Sequence, residues 1–177
     1  MKFHPLPIHD AWLIEPTPHL DDRGRFMRTW CHREFADAGV RFAPTQMNMA
    51  FSRLAGTLRG LHYQVAPALE AKLVRCTRGA VFDVVVDLRA DSPTRLKWHG
   101  ERLSADNGCM LLVPEGCAHG ALSLEDETEI LYMTSAFYSP AHARGVRHDD
   151  PAFRIDWPVP VTVLSDQDRR WPLWGSA

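Results

Sequence analysis

From Pro44 onward the chain is a succession of short β-type runs separated by turn residues, and this pattern most constrains what it can fold into. Strands are expected over 45–52, 57–64, 71–77, 80–88, 96–103, 109–113, 118–124 and 128–138, with Gly, Pro and Asp between them. Repeated short strands with this punctuation point to a sandwich or a barrel. Residues 33–39 form the one convincing short helix, with Gly39 at its C-terminal cap. Residues 3–14 read as an extended arm, because Pro5 and Pro7 suit an edge or a strand start. Residues 21–26 then supply a turn and a strand in which Phe26 and Arg28 share a face. At 177 residues the whole chain, 1–177, is read as one domain able to close a substantial core.

Composition excludes several classes of partner. A net charge of -2 gives no basic field for nucleic acid, although a single small anion remains compatible. Residues 1–10 carry two histidines and two prolines where a secretory segment needs an apolar run, and no stretch approaches a membrane span. Cys31, Cys76, Cys109 and Cys117 show no CxxC spacing and fall in apolar segments, which reads as reduced, buried thiols. Together these features predict a cytoplasmic protein with no membrane attachment.

The stretch Thr57-Leu58-Arg59-Gly60-Leu61-His62-Tyr63-Gln64 concentrates chemically useful groups on one short strand. Period-2 alternation places Leu58, Gly60, His62 and Gln64 on one face and Arg59, Leu61 and Tyr63 on the other, so Gly60 should leave space beside the histidine. In the next strand Lys72, Val74 and Cys76 share a face, and an inward lysine is costly unless it has a partner or a use. Taken singly, His62 reads as a hydrogen-bonded core histidine and Lys72 as an edge charge. Further along, Asp83 and Asp87 alternate with Val81 and Val85, a face that suits either a cavity lining or two solvated edge carboxylates.

Gly108 to His119 has the spacing G-x5-P-x-G-x2-H and resembles the second conserved motif of the cupin superfamily. The resemblance implies an all-β, double-stranded jelly-roll barrel with a few short helices. A metal-binding cupin also needs an H-x-H pair, whereas here Gln64 follows His62 at that spacing. Gln is a weak transition-metal ligand, so the barrel is expected to hold no metal and to need no cofactor.

Over about Pro16 to Trp171 the chain resembles the dTDP-4-dehydrorhamnose 3,5-epimerase family. The resemblance rests on Asp22-Arg23-Gly24-Arg25-Phe26, Gln46-Met47-Asn48, the Leu58–Gln64 stretch, Lys72-Leu73-Val74, residues 83–89, Pro114 to Gly120, Leu131-Tyr132, Tyr138-Ser139-Pro140, Asp150-Pro151, and Leu164-Ser165 with Asp168. It implies epimerisation of a nucleoside-diphosphate 4-keto-6-deoxyhexose at C3 and C5, through an enolate. Within it His62 resembles the base and Asp168 its dyad partner, Lys72 the cation at the enolate oxygen with His119 nearby, and Tyr132 the acid on the opposite face. Arg23 and Arg59 resemble the pyrophosphate ligands, and Phe26, Gln46, Asn48 and Tyr138 the contacts to nucleoside and sugar. The resemblance also implies a homodimer with the N-terminal arm, residues 1–15, crossing between subunits.

Three positions depart from the family pattern. Arg28 stands where a glutamate usually meets the base, so it either shifts base preference, for instance toward a CDP-sugar, or turns to a local carboxylate. Ala143 replaces a common glutamate and His148 a tryptophan, changes expected to touch nucleotide and sugar contacts. The rival readings are epimerisation at C3 alone, a 3,4-ketoisomerase of a dTDP- or CDP-sugar, a sugar-nucleotide-binding cupin without turnover, and, ranked below these, a metal-dependent dioxygenase.

Overall fold

A computed structural model describes residues 1–175. Its strands are β1 (Lys2–Pro5), β2 (Trp12–Glu15), β3 (His19–Asp21), β4 (Gly24–Phe26), β5 (Gln46–Ser52), β6 (Leu58–Gln64), β7 (Lys72–Arg78), β8 (Ala80–Asp87), β9 (Trp98–Ser104), β10 (Met110–Val113), β11 (Cys117–Ser123), β12 (Thr128–Thr134) and β13 (Ala143–Gly145). Two short helices, α1 (His32–Asp37) and α2 (Asp166–Arg170), complete the set. A six-stranded sheet of order β1-β2-β10-β7-β12-β5 faces a five-stranded sheet of order β13-β6-β11-β8-β9, and β3 and β4 form a separate hairpin. This is the cupin double-stranded jelly roll.

Three apolar layers hold the sheets. Val74, Cys76, Val81, Val85, Leu111, Val113 and Cys117 meet between them. Phe35 of α1 packs with Val40, Phe42 and Met110 on the outside of the six-stranded sheet. Leu61, Val84, Val86 and Ala118 on the outside of the five-stranded sheet pack with Val146, Phe153 and Trp157 from the tail. The Val81–Val85 face of β8 therefore points into the barrel. Asp83 and Asp87 are both fully buried, and neither is a solvated edge carboxylate.

The elements differ from expectation at four places. Residues 3–14 are not one extended arm: β1 pairs antiparallel with β2, which pairs with β10, so the arm is a hairpin on the chain's own sheet. β12 stops at Thr134, and residues 135–138 leave the sheet. Of the cysteines only Cys76 and Cys117 are buried, while Cys31 and Cys109 are half-exposed. α2 was not anticipated, being only five residues long. Its signal is nevertheless present, since Ser165 caps it through a bond from the Asp168 N–H at 3.0 Å, the Ser-x-x-Asp form of a helix start. Along the edge strand β5, Met47, Met49 and Phe51 all point away from the barrel and are exposed. Among the described residues no helix is long and apolar enough to cross a membrane.

Candidate active site

Between the two sheets lies a cavity of about 440 Å³. β5 contributes Gln46 and Asn48, β6 His62, Tyr63 and Gln64, β12 Tyr132 and Thr134, and β13 Ala143 and Arg144. Glu70, Lys72, Tyr138, Gln167 and Trp171 close it.

A bulge decides which β6 side chains face this space. In the ladder with β11, His62 pairs with His119 but Arg59 pairs with Ala121, so β6 spends three residue steps where β11 spends two. The extra residue puts Arg59 and His62 on one face, contrary to simple alternation, while Leu61 and Tyr63 remain on the other, packed in the outer layer, although Tyr63 also contributes to the cavity lining. Gly60 sits at φ +144, and a Cβ there would lie 2.6 Å from Gly120 Cα and 2.9 Å from the His119 carbonyl. Rather than opening space for a ligand, this glycine lets two backbones touch. Arg59 lies beside the cavity with its guanidinium donating to the Phe51 carbonyl at 2.7 Å and to Ser52 Oγ at 3.3 Å.

His62 Nε2 and Asp168 Oδ1 are 2.6 Å apart, although the residues are 106 positions apart in sequence. That leaves Nδ1 free to accept a proton, with the carboxylate fixing the tautomer. Asp168 is 5% exposed, and Trp171 Nε1 donates to the same oxygen at 3.2 Å. Burial raises the Asp168 pKa, but hydrogen bonds from His62, Ser165 and Trp171 outweigh it and hold the carboxyl below its ordinary range. The Trp171 ring stands edge-on to His62 at 6.3 Å and lies against Gly145, where a Cβ would come within 2.3 Å of the indole. A side chain at that position would push the indole off the dyad.

Lys72 is as buried as the sequence suggested, and it has a partner. Its Nζ lies 3.1 Å from Glu70 Oε1 and 3.4 Å from the His62 carbonyl. The Tyr132 phenol has its pKa raised by burial first and by the Glu70 charge second, against an opposing effect of Arg59. A second histidine–carboxylate pair lies deeper, with His119 Nε2 and Asp83 Oδ1 2.8 Å apart and Asp83 Oδ2 buried without a partner. His119 is directly opposite His62 in the ladder, so the two imidazoles share the inward face.

Gln46, Asn48 and Tyr138 join the cavity, and Gln46 Oε1 accepts the Tyr138 N–H at 2.6 Å. Arg23, Phe26 and Arg28 do not. The β3–β4 hairpin stands off both sheets with all six strand residues exposed. Arg23 is paired with Asp21 at 2.6 Å, and Phe26 is 69% exposed. Arg28 Nη1 donates to Glu34 Oε1 at 2.8 Å, which is the local-carboxylate alternative. Ala143 does line the cavity, whereas His148 lies away from it against Trp157, so that departure does not touch the site.

Gln64, at the spacing of a metal ligand, is spent on backbone: its amide donates to Ala68 O and Phe137 O and accepts from the Ser139 N–H. Among the described residues no group of three or more His, Cys, Asp or Glu is placed to hold a metal ion. Sequence reasoning missed Glu70, Arg144, Gln167 and Trp171 as cavity residues. For Glu70 the signal was its place two residues before a buried lysine; for Trp171 it was its place closing the turn that begins at Ser165.

A family model described as dTDP-4-dehydrorhamnose 3,5-epimerase matches residues 5–176. The protein of that description from Sinorhizobium fredii is 45% identical over 97% of this chain and 89% of its own length. A crystal structure of the Bacillus anthracis dTDP-4-dehydrorhamnose 3,5-epimerase with TDP and PPi bound superposes with a TM-score of 0.94 at 43% identity, covering 97% of this chain and 98% of that one. The dTDP-4-dehydrorhamnose 3-epimerase of Streptomyces niveus is 41% identical over 96% of this chain and 82% of its own length.

Proposed function

Because this chain belongs to the dTDP-4-dehydrorhamnose 3,5-epimerase family, we propose that it inverts a dTDP-4-keto-6-deoxyhexose at C3 and C5 by removing and returning one proton at each carbon. The observation that carries this reading is the His62–Asp168 contact, placed in the same cavity as Lys72 and Tyr132.

Both carbons flank the C4 ketone, so each C–H is acidified by the same carbonyl. His62 Nδ1 takes the proton, and Asp168 stabilises the imidazolium that results. Charge moves onto O4, where the Lys72 ammonium and His119 act as fixed electrostatic partners. Tyr132, kept protonated by its surroundings, returns a proton from the opposite face. Gln46, Asn48 and Tyr138 hold the sugar and nucleoside. Each inversion begins and ends at the same oxidation level, so side chains suffice for the chemistry.

A diphosphate needs more positive charge than one chain supplies. Of the two cations lining the cavity, Lys72 is committed to Glu70, and Arg144 Nη1 donates to its own neighbours' carbonyls. We therefore read the protein as a homodimer in which the β3–β4 hairpin of a second copy brings Arg23 and Phe26 to this site, beside Arg59. The exposed Met47, Met49 and Phe51 of β5 and the N-terminal hairpin, residues 1–15, are the surfaces available for that contact. Residues 1–177 form one epimerase domain in this reading, working in the cytoplasm.

Incubation with dTDP-4-keto-6-deoxyglucose in D2O, followed by NMR with His62→Ala as control, tests it. Deuterium at both C3 and C5 is the expected result. Label at C3 alone would make the protein a 3-epimerase, the activity named for the Streptomyces niveus relative. No label at either carbon would sink the reading.

A further inference from the structure

We propose that Glu70 is a positioning residue of this site: its carboxylate anchors the Lys72 ammonium within the cavity that also holds the Tyr132 phenol. In its catalytic sense this rests on the epimerase reading, but its electrostatics do not. Glu70 lies in the connection between β6 and β7, and its side chain is 9% exposed. Among the described residues it is the one carboxylate lining the cavity.

The geometry gives the carboxylate two tasks. An ammonium has three donors. Glu70 Oε1 at 3.1 Å takes one and the His62 carbonyl at 3.4 Å takes a second, leaving the third for a substrate oxygen. The lysine is thereby tied to the backbone of the base, so that base and electrophile are set relative to each other before substrate arrives. A buried lysine without such a partner would bear the desolvation cost alone.

The second task concerns the acid. In its sheet Tyr132 is flanked by Asn48 of β5 and Val74 of β7, neither of which titrates. The titratable and charged groups around the phenol are Lys72 of β7, Arg59, His62 and Tyr63 of β6, His119 of β11, Arg144 of β13, Tyr138, and Glu70. Asp83 stands behind His119 and is engaged with it. Every other charged group that lines the cavity is a cation, which favours the tyrosinate, whereas Glu70 opposes it. A proton donor that had already ionised could not complete the inversion.

Glu70→Gln keeps the shape and removes the charge. Absorbance titration of the three tyrosines in the free enzyme, with Tyr132→Phe made in both backgrounds, isolates the Tyr132 component without reference to turnover. We expect that component to ionise about one pH unit lower in Glu70→Gln, a tenfold shift, and the alkaline limb of kcat/KM to move the same way. Glu70→Asp, which retains the charge, should titrate like wild type and serves if the glutamine variant folds poorly. A Tyr132 titration unchanged or raised in Glu70→Gln overturns the proposal. The anchoring role is read from kcat/KM in a double-mutant cycle. At neutral pH, where the phenol stays protonated, Glu70→Gln should alter kcat/KM at least threefold with Lys72 present and by less than about 1.5-fold in Lys72→Met. Equal effects in both backgrounds would overturn it. Should the D2O experiment show no epimerisation at all, the phenol titration still decides whether Glu70 sets the field.

Discussion

Replacing Asp168 by Asn tests the dyad at its least solvent-screened point. Asp168 is 5% exposed and 2.6 Å from His62 Nε2, so little water screens the carboxylate end of the pair, while the imidazole is 40% exposed. The imidazole is neutral before proton abstraction and charged after it, which makes this bond stronger in the transition state than in the ground state. Exchanging a charge-assisted bond for a neutral one of about half its strength forfeits about 0.75–1.5 kcal/mol. At about 1.36 kcal/mol per factor of ten, kcat should fall by about 4- to 13-fold. The fold should survive, because the Ser165 cap of α2 accepts from the Asp168 backbone N–H, which the substitution leaves in place. Deuterium incorporation at C3 and C5 under saturating substrate measures kcat, and KM should stay within about threefold of wild type. In a His62→Ala background the same substitution should cost almost nothing further. A fall in kcat below about threefold, or losses that multiply in the double variant, would refute the assignment of Asp168 to the base.

Two further outcomes follow from other parts of the barrel. Gly60→Ala would have to adopt φ +144 with its Cβ 2.6 Å from Gly120 Cα, so we expect about 4 kcal/mol or more of destabilisation, read from urea unfolding, together with a displaced His62. Asp87 is fully buried. Burial alone would raise its pKa, but Arg89, Ser92 and Thr94 hydrogen-bond to the carboxylate and depress it strongly. A depressed carboxylate adds stability above its unfolded pKa, and that contribution drains away as pH falls below about 4. Asp87→Asn should therefore lose about 3 kcal/mol at pH 7 and show a shallower loss of stability between pH 4 and 2, in urea melts at each pH.

Much of the barrel was legible because its strands obey local rules. Period-2 spacing put Val81, Asp83 and Val85 on one face but left open whether it looked inward, which burial decides, and Pro5 and Pro7 marked an edge. The bulge in β6 was not legible. An inserted residue leaves the apolar pattern of a seven-residue strand intact, so period-2 reasoning put Arg59 on the wrong side of His62. Only Gly60 hinted at it, and that glycine admitted a second explanation as empty space. Asp168 could be named only through family resemblance, since nothing local ties it to a histidine 106 positions earlier. Glu70 escaped notice because a glutamate beside a lysine is ordinary on a protein surface, and only burial of both makes the pair unusual. Arg23 and Phe26 were named as ligands, yet within one chain they stand on an exposed hairpin.

The placement of α2 bears on when the protein becomes competent during its own synthesis. A ribosome that has delivered every strand through Gly145 has emitted the material of both sheets, with His62, Lys72 and Tyr132 already in place, but not Asp168. The carboxylate of Asp168 arrives only with α2, after all thirteen strands, and Trp171, which donates to it, follows. Translation thus sets the order in which the site is built, with the scaffold first and the activating charge at the end. A chain nicked or stopped just short of Ser165 would retain His62 and lose the carboxylate proposed to orient it.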